Sequence, residues 1–334
     1  MGALTRRQKR AAALGAAVWV MVMPAGPALT QSICGGTSQT FSPSASAGSR
    51  TDGTQPFHWT APAGVTSVVV RARGAEGGAS TLSAGGRGAE ILATYPVTPG
   101  ERLCIVVGVA GQETFDFSGG GGGASFVFSS GALPCLLSNA SVANLRVAAA
   151  GGGGAYYFNG GLPGRAAGVG IGAAGAVSGS GAAGGGTDGR GGGSDGSMGG
   201  GGGGLLTDGG MSFYGYPGQA LIHGGGGGGP NIGSTGDGGF GGGGFGGGGG
   251  GYNGGAGAGG GSSTWPGGGG GSFSSVVPTS AQDGQQAGNG EVSLCFSAAP
   301  APVPTLSEWA MIGLMGLLAM FGLVLMDRRR RFPA

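Results

Sequence analysis

Runs of four to six consecutive glycines at 151–154, 199–204, 224–229, 246–251 and 267–271 constrain this chain more than any other feature. Within residues 151–271, 62 of 121 positions are glycine. A residue without a Cβ cannot build an apolar helix stripe or an alternating strand face, so these segments cannot form a conventional core. A collagen triple helix needs glycine at every third position and abundant proline. Here the glycines are contiguous and only 17 prolines occur in 334 residues, which excludes it. Two readings remain. One is a flexible glycine linker. The other is ordered: in polyproline-II geometry a chain has three residues per turn and no internal hydrogen bonds, so its N–H and C=O groups point outward. If every residue is glycine, such rods can pack closely and bond to one another. A six-residue run is then about 19 Å long. Ordering costs entropy, and glycine loses the most. Three features support order. The tract is too long for an idle connection inside one domain. It carries spaced aromatic residues (Tyr156, Tyr157, Phe158, Phe213, Tyr214, Phe240, Phe245, Tyr252 and Trp265). Strand patterns continue on both sides of it.

Those flanking segments alternate with period two. Phe57–Thr60 is followed by the turn Pro62-Ala63-Gly64. Residues 65–73 place Val68, Val70 and Ala72 on one face and Val69, Arg71 and Arg73 on the other. Residues 89–97 and 102–109 are the next strands, separated by Pro99-Gly100; the second puts Leu103, Ile105 and Val107 on one face. Residues 124–128 and 144–150 follow. Far downstream, residues 291–296 form a last strand with Val292, Leu294 and Phe296 facing inward. The reading is an all-β body at 56–297 with the glycine-rich insert at 151–271, preceded by a segment at 31–55.

Both ends read as membrane signals. Arg6, Arg7, Lys9 and Arg10 precede an apolar stretch at 11–23, and Pro24, Gly26 and Pro27 then break the helix. This is the plan of a secretory signal helix, with residues 1–30 removed after Thr30, or after Ala28. An uncleaved anchor is the alternative, but the apolar stretch is short for a span. At the other end, residues 309–326 are 18 uncharged residues. As a helix they reach about 27 Å, close to a bilayer core of about 30 Å, with Trp309 at the interface. Arg328, Arg329, Arg330 and Arg331 follow at once. Positive flanks stay cytoplasmic, which puts the glycine-rich body outside.

An Ala/Pro linker at 298–302 leads into Val303-Pro304-Thr305-Leu306-Ser307-Glu308-Trp309. The order Pro-Thr-Leu-x-x-Trp, transmembrane helix, basic tail over 303–331 resembles the IPTL-CTERM protein-sorting domain of Gram-negative bacteria. Val303 stands where isoleucine is usual and Ala310 where glycine is usual. The resemblance implies export through the inner membrane and recognition of Val303, Pro304, Thr305, Leu306 and Trp309 by an exosortase-type membrane transpeptidase. That enzyme would cut near the motif and pass the body to the periplasm, outer surface or matrix.

A second resemblance rests on Trp59-Thr-Ala-Pro-Ala-Gly-Val-Thr-Ser-Val68, Gly74-Ala-Glu-Gly-Gly78, Thr98-Pro-Gly-Glu-Arg-Leu103, Val147-Ala-Ala-Ala-Gly-Gly-Gly-Gly154 and Gly288-Asn-Gly-Glu-Val292. Together these are similar to the glycine-rich domain family, which includes the extracellular region of anaplastic lymphoma kinase and bacterial surface proteins. The resemblance implies a jelly-roll-like β-sandwich with an inserted polyglycine-II helix bundle. In the kinase this domain takes part in ligand binding. No binding residue carries over.

Four cysteines, Cys34, Cys104, Cys135 and Cys295, lie in the exported body. They allow three pairings. An oxidising compartment favours disulfides over metal, and the spacings match no zinc pattern. Cys104–Cys135 with Cys34–Cys295 is the expected arrangement, joining neighbouring strand segments and tying the ends of the domain together.

Chemistry is sparse. Charged residues are 9% of the chain, against about 25% in ordinary domains. A P-loop needs lysine, and none follows Lys9. Asp188, Asp195, Asp208 and Asp237 miss the register of calcium-binding repeats and read as solvated loop residues. His58 and His223 have no nucleophile nearby in sequence, so no catalytic, metal or cofactor residue is expected. Residues 31–303 carry eight basic and twelve acidic residues, which does not suit phosphate neutralisation and argues against nucleic acid. Structural or adhesive function, with a surface polysaccharide or protein as ligand, is the first expectation. A specific binding module and a secreted hydrolase are the alternatives.

Overall fold

The computed structural model describes residues 35–114, 118–131, 133–156, 160–161, 184–196, 198–231, 236–259, 265–297 and 306–331. Ten strands form among the described residues: β1 (Thr37–Phe41), β2 (Phe57–Thr60), β3 (Ser67–Arg73), β4 (Gly88–Pro96), β5 (Arg102–Val106), β6 (Ser125–Gly131), β7 (Leu145–Ala149), β8 (Phe273–Ser274), β9 (Ser280–Gln286) and β10 (Glu291–Phe296). They make two antiparallel sheets, ordered β1-β10-β3-β4-β9 and β2-β5-β6-β7-β8. Alternation identified seven of these strands, to within a few residues at each end. β1, β8 and β9 were not expected. Their sequences, TSQTF, FS and SAQDGQQ, carry no alternating apolar face, and they are edge strands placed by their partners.

The two sheets face each other. Val68, Val70, Ala72, Ile91, Tyr95, Val292 and Leu294 of the first pack with Trp59, Leu103, Ile105, Val127 and Val147 of the second. This is the face that the period-two pattern assigned. Tyr95 is fully buried, and its hydroxyl shares a 2.8 Å hydrogen bond with Ser274 Oγ. Burial pushes that hydroxyl up to about 12, so it stays neutral. The outer face of the second sheet is buried as well. Cys104, Val106, Phe126, Phe128, Leu145 and Ala148 meet Leu205, Leu221, Phe240, Tyr252 and Phe273 from the glycine-rich region and its edge. Double coverage explains why β5 and β6 read as nearly continuous apolar runs.

Strand ends lead directly into glycine segments, and these bond to one another rather than to themselves. In 246–251, the N–H groups of Gly248 and Gly251 donate to Gly200 and Gly203 of one neighbouring run, at 3.0 and 3.2 Å. Gly249 donates to Gly268 of a second at 2.8 Å, and Gly250 to Gly122 of a third at 2.9 Å. The carbonyls of Gly247 and Gly250 accept from Gly154 and Gly151 of a fourth, both at 2.9 Å. Two of these directions, towards 200–203 and towards 151–154, return after three residues. The same step recurs where Gly119 and Gly122 donate to Ala155 and Gly152, and Gly267 and Gly270 donate to Gly154 and Gly151. A Cβ at Gly121, Gly152, Gly202 or Gly248 would fall on a carbonyl of an adjacent run, far inside any real Cβ contact. The glycines are therefore required by close approach. Backbone pairing also answers the question of where the buried N–H and C=O groups go.

Candidate functional site

The C-terminal segment forms helix α1 (Leu306–Arg331), 26 residues long. Its apolar window, Trp309–Asp327, has a mean hydropathy of 2.2 over 19 residues, and none of it is buried. A helix that is apolar on every side needs an apolar surround. Nineteen residues rise about 28 Å, enough for the hydrocarbon core. The helix begins three residues before the expected 309–326 span and continues through Arg328, Arg329, Arg330 and Arg331. Leu306 is thus its first residue, and Trp309 stands one turn inside. Val303, Pro304 and Thr305 lie outside the described residues. Thr305-Leu-Ser-Glu308 nevertheless has the residue types and spacing of a capping box, with proline just before it. That pattern favours a helix start at this point.

Two sequence-predicted cysteines come together. Cys104 on β5 is bonded to Cys135 in the loop after β6, with Cα atoms 5.5 Å apart. Cys295 on β10 is also disulfide-bonded. Cys34 lies outside the described residues, and the Cys34–Cys295 pairing with it, as does the signal segment 1–30.

The polar residues form few constellations. His58 is exposed on edge strand β2. His223 Nδ1 lies 2.8 Å from Asp208 Oδ1, and Ala220 N also donates to that oxygen. Both side chains are about half exposed. Sequence separation hid this pair. Asp195 Oδ1 accepts from Met198 N, a local turn contact. Among the described residues no group of three or more His, Cys, Asp or Glu could hold a metal. Asp52, unremarked in the sequence, is buried. Burial alone would raise its carboxyl, but donors from Thr54, Gln55 and Ser44 outweigh this and bring it down to about 2. All its hydrogen bonds are internal, so its work is to hold the 44–55 loop. A small cavity lined by Ala124, Phe126, Leu221 and Phe240 has room for about one water.

Four aromatic residues of the insert form a row. Tyr214 stacks on Phe245 with ring centroids 5.5 Å apart, Phe213 meets Tyr214 edge-on at 5.1 Å, and Tyr156 lies 6.3 Å from Phe245. Phe245 has φ of 50°, in the left-handed region that a bulky residue rarely adopts. Met211, Phe213 and Tyr216, close to Tyr214 in sequence, are exposed.

Residues 301–331 match the IPTL-CTERM motif. The match covers the motif residues, α1 and the four arginines, and suggests a C-terminal sorting signal on an exported, surface-directed protein. No curated protein matches the chain.

Proposed function

We propose that this is a non-enzymatic structural or adhesive surface protein, exported behind a signal peptide at 1–30 and processed at its C-terminal motif by an exosortase-type transpeptidase. The observation that carries the reading is the IPTL-CTERM segment, in which the motif residues run directly into a fully exposed, membrane-length helix ending in four arginines. Before processing, α1 seats the chain in the inner membrane; afterwards the body is periplasmic, surface-bound or in the extracellular matrix of a Gram-negative cell. Mass spectrometry of surface material tests this. Mature protein should yield no peptide C-terminal to Trp309, and an intact tail there would leave a simple one-helix anchor.

The body is read as a jelly-roll-like sandwich carrying a polyglycine-II bundle, in keeping with its similarity to the glycine-rich domain family. Support for the bundle is the three-residue periodicity of bonds between runs. Support for the sandwich is the pairing of first and last strands and the switching of sheets from β1 to β2 to β3. The β3–β4 and β5–β6–β7 neighbours are sequential, so the likeness to a jelly roll is loose. A specific binding module is the second reading, favoured by exposed Met211, Phe213 and Tyr216 around Tyr214, which stacks on the strained Phe245. Pull-down on surface polysaccharide against surface protein separates the two.

A further inference from the structure

Strand directions place the chain's exit and one unusual loop at the same end of the sandwich. Thr37 pairs with Phe296, Ser67 with Pro96, Thr60 with Arg102, and Arg102 with Gly131. The end of β10 therefore shares its side of the body with the β6–β7 connection, residues 132–144. The glycine segments 74–78, 108–112, 118–124 and 150–155 leave from the opposite strand ends.

The β6–β7 connection contains no charged residue. Its apolar side chains are divided. Cys135, Leu137 and Ala140 pack inward with the second sheet. Leu133, Leu136 and Val142 point out, at 60%, 53% and 42% exposure. The loop is held in shape by Cys104–Cys135, by Asn144 Nδ2 donating to Asn139 O at 2.8 Å, and by Asn144 Oδ1 accepting from Ser141 N at 2.8 Å. Arg102, whose guanidinium reaches Leu133 O at 3.5 Å, the Arg146–Glu101 ion pair at the same strand ends, and the His223–Asp208 pair on the neighbouring turn are charged groups near it. Three outward apolar side chains are too few for a stable protein interface, which needs about 800 Å² per partner. They suffice if something else holds them at their target. From Phe296 to Leu306 the chain has nine intervening residues, a span of at most about 36 Å. With α1 in a bilayer, this end of the sandwich stays within that reach of the membrane surface, and the effective concentration of lipid at the loop is set by that tether.

We propose that the loop segment 133–144 is a lipid-contact site: Leu133, Leu136 and Val142 rest at the headgroup–acyl boundary of the membrane that holds the chain's own α1. The unprocessed protein then stands on two points, with the glycine segments leaving the strands at the far end. The inference rests on the membrane-anchor reading of α1.

The test uses the full chain in vesicles of phosphatidylethanolamine and phosphatidylglycerol containing a photoactivatable diazirine lipid, with crosslinked peptides mapped by mass spectrometry. Label is expected in α1 and in the 133–144 peptide. The double variant Leu133→Asp, Leu136→Asp should lose loop label by at least about fivefold while α1 label is unchanged. Leu133→Gln, Leu136→Gln is the milder companion, with the Cys104–Cys135 bond checked by non-reducing mapping to show that each variant is folded. Label in α1 with none in the loop overturns the proposal and leaves the anchor reading intact. Loop crosslinks to a second copy of the chain, in place of lipid, also overturn it. Absence of label from α1 overturns the anchor reading itself, and the two-point arrangement with it.

Discussion

Replacing Gly248 with alanine adds a single carbon where the chain has no room for one. The new Cβ would fall on the carbonyl oxygen of Gly255. Gly248 donates to Gly200 O at 3.0 Å, and its own carbonyl accepts from Gly243 N at 2.8 Å. Moving the run aside loosens both bonds, each worth about 1 kcal/mol, and overpacking adds about 1–3 kcal/mol. Against this, alanine narrows the unfolded ensemble and stabilises by about 0.4–1 kcal/mol. The net expectation is a loss of about 2–4 kcal/mol. Gly53 is the control, because a Cβ there meets nothing within 4 Å; Gly53→Ala should be neutral or stabilising by up to about 1 kcal/mol. Gly226→Ala is intermediate, since its Cβ lies 2.7 Å from the movable Gln219 Oε1. Urea unfolding midpoints measure all three, and hydrogen exchange of the 246–251 amides should show protection that Gly248→Ala weakens. If Gly248→Ala and Gly53→Ala agree within about 0.5 kcal/mol, the runs are solvated linker and the packed-rod argument is wrong.

Three further outcomes are expected. The Asp52 carboxyl sits at about 2 against an ordinary 3.8, so its contribution is complete above the ordinary value and is lost as pH falls towards 2; melting temperature should drop across that window, and Asp52→Asn should flatten the drop. Removing the 31-residue crosslink with Cys104→Ala, Cys135→Ser should cost about 2–4 kcal/mol in chemical unfolding, and a value near zero would mean the loop is held by packing alone. Pro304→Ala, Thr305→Ala should leave export intact but keep α1 on the protein in the membrane fraction; normal release would show that these motif residues are not what the processing enzyme reads.

Much of the candidate site was legible because its signals are local. An unbroken apolar run followed by arginines marks a helix long and apolar enough to cross a bilayer, and α1 differs from the expected helix only at its ends. The His223–Asp208 pair and the Asp52 pocket were invisible, since their partners are assembled by turns that no periodicity announces.

For the body, alternation by itself settled which residues of β3, β5 and β10 face the core, because period two is a property of one strand and its burial. The apolar run and its basic flank likewise determined α1. Sequence could not say which glycine run lies beside which. Identical side-chain-free segments carry no register information, so any run could in principle pair with any other. Tertiary structure decided it, by delivering the runs from fixed strand ends and pinning their connections where Leu205, Leu221, Phe240 and Tyr252 cover the second sheet. The edge strands β1, β8 and β9 were decided in the same way: their polar sequences become strands only because β10, β7 and β4 offer them unpaired backbone.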